Sequence, residues 1–191
     1  MKHPWLTFIE RYTTVPAEDW KVMEPLMLRR TVKKDKVLLR QGEVCRYLWV
    51  LEQGTLAYTT ATDHGTESCK FFTIAPYCFT SGTSFDNQTP AEESIIALEQ
   101  CTLWQMSKAD ADSLSRIPSW NIFVRKLLLE VQSYTEQLLV EAQSKTAAER
   151  YLSMLDQRSI LLERVPIKYI ASYLGIAPQS LSRIRRQAAG K

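Results

Sequence analysis

The chain has 191 residues, 45% of them hydrophobic and 24% charged, which is the ordinary range for a globular protein of one large domain, or of a medium and a small one. No apolar run approaches the roughly 18 residues a membrane span needs, and the opening Met1-Lys2-His3-Pro4-Trp5 is not a signal peptide. A cytoplasmic protein with no membrane partner is therefore expected. The net charge of +3 is unevenly placed: residues 145–191 hold nine Lys/Arg against three acids, while the other 144 residues hold 15 bases and 18 acids. A basic end on a slightly acidic body points to a polyanion met at one end.

Residues 4–30 read as helical. Pro16 before Ala17, Glu18 and Asp19 makes a good helix start, with acids near the positive end of the dipole. Trp20, Met23 and Met27 recur as a core-facing stripe. From about 31 to 107 the texture changes to short β-branched and aromatic segments separated by turn signals. Gly42, Gly54 and Gly65 fall at intervals of 12 and 11, as strand–turn–strand repeats require. An antiparallel sandwich or roll of about eight strands is expected. Residues 76–93, "PYCFTSGTSFDNQTPAEE", break the rhythm and read as an elaborated loop of the kind that holds a ligand. Phe72, Phe79, Ser81, Ser84 and Glu92 are the candidate lining of an effector pocket there.

Residues 119–143 predict one long helix, capped by Ser119. Val124, Leu128, Val131, Thr135, Leu138 and Ala142 step by four and three, an a/d seam over about three heptads, with Trp120 and Leu127 widening it. Such a helix spans ~36 Å, more apolar length than so small a body easily covers, so pairing with a second copy is the natural inference. Beyond 144 the helices are short. "TAAERYLSMLDQ" (146–157) places Tyr151, Leu152 and Leu155 on one face, and "SILLERV" follows.

"IKYIASYLGIAPQSLSRIRRQ" (167–187) meets the demands of a helix-turn-helix. Ala171 is the small residue that lets two helices cross closely, and Gly175 tolerates the left-handed turn. Ile170 and Leu174 anchor the first helix, Ile176 the turn, and Leu181 and Ile184 the second helix. Pro166 and Pro178 each stand at a helix start. With Leu181 and Ile184 inward, Gln179, Arg183 and Arg186 fall on the opposite face, flanked by Ser180 and Ser182. An amide, hydroxyls and guanidinium forks are the chemistry that reads base edges in a major groove. Lys168 and Tyr169 open the first helix, where phosphate is met. Ala177 leaves the second helix without a side-chain cap.

Other chemistry finds little support. Cys45, Cys69, Cys78 and Cys101 form no C-x-x-C pair and only His3 and His64 could assist them, so reduced, mostly buried thiols are expected, with no metal and no cofactor. There is no G-x-S-x-G, no P-loop and no metal-ligand spacing, so an enzyme is not expected.

The order of parts resembles the Crp/Fnr transcription regulators. "LLRQGEVCRYLWVLEQGTLAYT" (38–59) is similar to that family's β-roll signature. "RYLSMLDQRSILLERVPIKYIASYLGIAPQSLSRIRR" (150–186) is similar to the DNA-binding end of members from Bacteroidetes-type bacteria. The resemblance implies an α+β fold: an antiparallel β-roll (a double-stranded β-helix, cupin-like) with flanking helices over 1–115, a long dimerisation helix over 116–144, and an all-α helix-turn-helix domain over 145–191. It implies a homodimeric regulator on a near-palindromic operator, with RNA polymerase a candidate further partner and a small-molecule effector in the roll. Gln179, Ser180 and Arg183 match the family's base- and phosphate-contacting positions.

Three departures matter. Members that bind cyclic AMP carry a Gly-Glu pair and an Arg-Ser or Arg-Thr pair, the arginine holding the cyclic phosphate. Here Ala91, Glu92 and Glu93 stand where that arginine belongs, and 71–107 contain no Lys or Arg, so an effector other than a cyclic nucleotide is expected. The cysteine cluster of the iron–sulfur members is also absent. The sequence stops about five residues after the recognition helix, where many relatives continue into a β wing. Affinity is therefore expected to rest on the recognition helices and on dimerisation. A sensor or interaction protein that keeps the fold without binding DNA is the alternative.

Overall fold

The computed structural model describes residues 2–61 and 67–189. His64 and Gly65, named above for a metal site and a turn, and Lys191, one of the nine bases of the C-terminal end, lie outside the described residues.

The first 26 residues are less helical than expected. Helix α1 (Pro4–Ile9) and helix α2 (Ala17–Met23) are separate, a 3-10 turn over Glu24–Leu26 follows, and strand β1 (Leu28–Val32) has already begun by residue 28. Thr13, Thr14 and Val15 before Pro16 disfavour helix between the first pair, and Pro25 removes a donor that would continue the second. Met23 and Met27 are buried as expected, with Trp20 half-buried beside them.

Seven further strands follow: β2 (Val37–Leu39), β3 (Tyr47–Gln53), β4 (Thr55–Ala61), β5 (Glu67–Ile74), β6 (Tyr77–Phe79), β7 (Ser94–Ala97) and β8 (Cys101–Ser107). They form two antiparallel four-stranded sheets, ordered β1-β8-β3-β6 and β2-β7-β4-β5. Between the sheets lie Leu39, Trp49, Leu51, Leu56, Tyr58, Phe79, Ile95 and Leu103. The turn between β3 and β4 requires glycine. Gly54 has φ +115°, and a Cβ there would stand 2.4 Å from the Cys101 Sγ. The stretch 76–93 is not the open loop expected, for it contains β6 and a short helix α3 (Gly82–Asn87). Small residues hide the helix from sequence reading, because Ser84 forms it by bonding rather than by apolar spacing. Its buried Oγ accepts from the Cys45 N–H at 2.8 Å and donates to the Thr89 carbonyl.

After helix α4 (Lys108–Ser113) and a 3-10 turn at Leu114–Arg116 comes the long helix α5 (Pro118–Ser144), 27 residues. Its cap is not Ser119. The helix starts one residue earlier, with Pro118 in its first turn and Ile117 at the N-cap, while Ser119 is buried and donates to the Asp19 carboxylate. Proline at the first helical position makes the earlier start favourable. Glu130 on α5 accepts from the Tyr12 hydroxyl at 2.9 Å, and Lys126 donates to the Tyr12 carbonyl, which together tie the N-terminal segment to the long helix.

Four short helices complete the chain: α6 (Ala147–Gln157), α7 (Ser159–Arg164), α8 (Ile167–Leu174) and α9 (Pro178–Ala189). A reciprocal capping box starts α6. The Glu149 N–H donates to the Thr146 hydroxyl, and the Glu149 carboxylate accepts from the Thr146 N–H. The inward face of α6 is Tyr151 and Met154; Leu152 and Leu155 point outward, contrary to the expected grouping. Tyr151, Met154 and the α8 and α9 anchors share one apolar cluster with Ala57, Cys69 and Leu98 of the roll.

Candidate nucleic-acid interface and effector region

Helix α8 ends where Gly175 turns left-handed, at φ +71° and ψ +30°. The Gly175 N–H donates to the Ser172 carbonyl and the Ile176 N–H to the Ala171 carbonyl, each at 3.0 Å. This pair of bonds is a Schellman motif, which satisfies carbonyls the helix end would otherwise leave open. A Cβ at Gly175 would meet nothing within 4 Å, so backbone conformation alone selects glycine here. Past the turn, Pro178 opens α9 and Leu181 is fully buried. Ile170, Ala171 and Leu174 are buried opposite it, while Ile176 and Ile184 are half-buried in the same cluster.

With α9 pinned this way, Gln179, Arg183, Arg185 and Arg186 are exposed, and Ser180 and Ser182 are partly so. The Ser182 hydroxyl donates back to the Pro178 carbonyl at 3.0 Å, so its oxygen is left to accept. Lys168 is exposed at the start of α8, its Nζ 4.7 Å from the centre of the Tyr169 ring. Tyr169 itself is half-buried on the roll side. Burial, and then the Glu67 carboxylate, hold its phenol above the usual value.

Several of the nine basic residues have structural partners. Arg150 donates to the Leu174 carbonyl at 2.7 Å, closing the end of α8, and Arg164 pairs with Glu99 at 3.7 Å. Lys145 pairs with Glu141 at 2.8 Å. Arg158 lies 4.6 Å from the centre of the Tyr134 ring and bonds its hydroxyl. Among the described residues this leaves Lys168, Arg183, Arg185 and Arg186 on the outside.

The long helix carries an uncovered apolar stripe. Leu128 is 62% exposed, Val131 41% and Leu139 59%, with Thr135 and Ala142 exposed on the same face. Two seam residues lie partly against the chain's own body. Val124 packs beside the N-terminal cluster, and Leu138 lines a small cleft with Tyr134, Met154, Arg158 and Tyr173 where α5, α6 and α8 meet. The helix therefore turns slightly from the expected heptad, and Leu139 joins the open face.

The five residues expected to line an effector pocket are not brought together. Phe72 is on the outer face of its sheet, 5.5 Å from the Tyr173 ring of α8. A register shift between Tyr58 and Thr59, opposite Lys70, reverses the alternation of β5 and turns Phe71 inward instead. Phe71 stacks on Tyr58 at 3.9 Å, and Phe79 stacks on Trp49 at 5.1 Å. Ser81 and Ser84 are buried and Glu92 is exposed. Glu93 pairs with Lys70 at 3.6 Å.

All four cysteines are free and buried. Burial pushes the Cys69 thiol up to about 12. His3 accepts from the Trp5 N–H and leans on the Trp20 and Trp104 rings, a helix-capping role. Sequence reading missed Ser172, whose hydroxyl accepts from the Cys69 N–H on the free edge of β5 at 2.8 Å. A helix residue that caps a sheet edge carries no local signature.

The described residues thus comprise a roll of two four-stranded sheets, a long helix with an open apolar stripe and a closely packed C-terminal helix pair. The family model for the cyclic nucleotide-binding domain matches residues 29–116. The match takes in strands β1 to β8, and the chain as a whole shares its fold with solved structures of Crp/Fnr-type regulators. The chain is similar to CLP of Xanthomonas campestris, described as a c-di-GMP-responsive global regulator, at 16% identity and a TM-score of 0.72, covering 92% of this chain and 93% of that one. It is similar to a Crp/Fnr-family protein from Eubacterium rectale at 16% identity and a TM-score of 0.75, over 95% and 87% of the two chains. FixK2 of Bradyrhizobium japonicum matches at 16% identity and a TM-score of 0.70, over 86% and 85%. Sequence comparison with curated proteins finds no match. Among the described residues, no helix is long and apolar enough to cross a membrane.

Proposed function

We infer that the protein is a homodimeric, sequence-specific DNA-binding transcription regulator of the cytoplasm, with RNA polymerase a candidate further partner. The observation that carries this reading is the helix pair that buries Leu181 fully while exposing Gln179, Arg183 and Arg186. Buried anchors on one side and base-reading chemistry on the other are what a major-groove helix needs.

Pairing of two α5 helices through Leu128, Val131, Thr135, Leu139 and Ala142 would cover the open stripe and set two α9 helices on successive major grooves. Lys168 then meets phosphate at the start of α8, and Ser180 and Ser182 flank the reading residues. Any effector that the roll takes is expected to be other than a cyclic nucleotide. The roll's aromatic pairs fill the interior, and Glu93 stands where a phosphate would need a cation. Any such effector would act by changing the α5 pairing, and through it the spacing of the reading helices.

Selection of bound duplexes from a random pool tests the reading. Recovery of near-palindromes with half-sites one turn apart, ~34 Å, supports it. A pool that stays random through successive rounds overturns it and leaves a sensor that docks something other than DNA.

A further inference from the structure

The cleft where α5, α6 and α8 meet lies outside the roll, between the long helix and the C-terminal helix pair. It exists because α6 folds back along the end of α5. Lys145 at the close of α5 bonds Ser153 of α6, and Arg158, just past the end of α6, reaches back to Tyr134. The Arg158 guanidinium bonds the Tyr134 hydroxyl and lies 4.6 Å from the centre of its ring. Tyr173 enters from α8, and Leu138 and Met154 supply an apolar wall. The space measures about 50 Å³, which at roughly 10–15 Å³ for each water-sized group takes about four of them.

Gln137 and Gln157 stand at the exposed rim, and inside it the polar groups are donors. The Tyr134 hydroxyl accepts from Arg158, so its own proton is left to donate. The Ser153 hydroxyl accepts from Lys145 at 3.1 Å and is in the same position. Among the described residues no group hydrogen-bonds the Tyr173 hydroxyl, and burial holds its phenol up to about 12, so it too donates at neutral pH. Glu141 is the carboxylate of the lining, and Lys145 neutralises it at 2.8 Å. Arg158 has no carboxylate partner among the described residues. The cleft therefore carries one uncompensated guanidinium ringed by hydroxyl donors, a field that favours a single negative charge.

We propose that this cleft binds a short-chain carboxylate, its head on Arg158, Tyr134 and Tyr173 and its alkyl end against Leu138 and Met154. A planar guanidinium matches a carboxylate with two parallel bonds, and the apolar wall takes the carbon next to it. A cation would meet Arg158 head on, and a neutral molecule would bring no charge to offset it. The site stands apart from what the helix pair does, but its consequence rests on the DNA-binding reading above. A carboxylate shared by α5 and α8 fastens the first helix of the pair to the pairing helix. It thereby shifts the set of α9 and the affinity for the operator, and the operator shifts the affinity for carboxylate by the same factor.

Calorimetric titration of the full chain without DNA tests the site, with sodium propionate as the probe. Inorganic phosphate and n-propylamine at equal ionic strength are the comparisons. Saturable binding of propionate is expected, with phosphate weaker and propylamine silent. Arg158→Gln should weaken propionate by at least about 10-fold, but it also breaks the bond to Tyr134. The deciding variant is Tyr173→Phe, which removes a hydroxyl that no described residue bonds. Its melting temperature without ligand should stay put while its propionate affinity falls about 3–10-fold. Arg125→Gln, exposed on α5, is the control and should change neither. No saturable binding, equal binding of propylamine, or full affinity in Tyr173→Phe overturns the site, whatever the protein does with DNA. Phosphate binding more tightly than propionate overturns the carboxylate assignment. Operator titration with and without saturating propionate tests the consequence. A change of affinity in the parent that shrinks in Tyr173→Phe supports the coupling, and identical affinities overturn it. Failure of the parent to bind any operator overturns the DNA-binding reading and leaves the carboxylate site standing.

Discussion

The roll and the helix-turn-helix make opposite use of their side chains. In the roll, Tyr58, Phe71, Trp49 and Phe79 turn inward and pair as stacked rings, so the aromatic content goes into holding two sheets together. In the helix-turn-helix the apolar residues do the holding, and the polar ones stay outside with few internal partners. An exposed polar face can therefore be specified by spacing. Once Leu181 is inward, helical geometry places Gln179, Arg183 and Arg186 outward without any further choice. A pocket has no such shortcut, because its lining comes from several strands whose register must be known first.

Four substitutions or titrations sharpen this contrast, from the largest effect to the smallest. Tyr58→Ala removes a fully enclosed ring between the sheets and is expected to destabilise the protein by about 3–5 kcal/mol in denaturant unfolding. The operator preferred by the molecules that remain folded should not change. Arg183→Ala is expected to do the reverse. Binding to the selected operator should weaken by about 1–3 kcal/mol in a mobility-shift titration and discrimination should relax, while the melting temperature stays put. If both variants moved stability and specificity together, the two regions would not be separable in this way.

Gly175→Ala puts a Cβ on a left-handed backbone with free space around it, so the cost is conformational, about 1–2 kcal/mol of stability by calorimetry. A smaller effect is expected from pH. Burial raises the Cys69 thiol from 9.0 to about 12 and the Tyr173 phenol from 10.0 to about 12, and both lie where the roll meets α8. Both groups fold in their protonated forms. Their contribution is therefore complete below about pH 9 and is lost as pH rises towards about 12. Melting temperature should be flat between about pH 7 and 9 and fall above that; a rise in this upper range would contradict the assignment.

Much of the fold is legible in the sequence. The eight strands follow from β-branched segments between turn signals, and α5 from its heptad steps. What the sequence hides is set by contacts between distant residues. Lys70 sits at a register shift, so Phe71 rather than Phe72 enters the core. Ser119 is taken by Asp19 one hundred residues earlier, and Ser172 by the β5 edge. The basic end shows the same limit. Charge counting cannot tell that Arg150 closes a helix end, that Arg158 rests on a tyrosine, or that Arg164 meets Glu99. It therefore overstates the cationic surface, whereas the anchor spacing located it.

The central claim is that α9 reads DNA, and anisotropy titration of the protein tests it most directly. The selected operator and a scrambled duplex of equal length would each be titrated at ~50 and ~200 mM salt. The account predicts tight operator binding that weakens by about 10³-fold across that range, with the scrambled duplex well below it at both salts. Equal affinity for the two duplexes, or operator binding indifferent to salt, would contradict it.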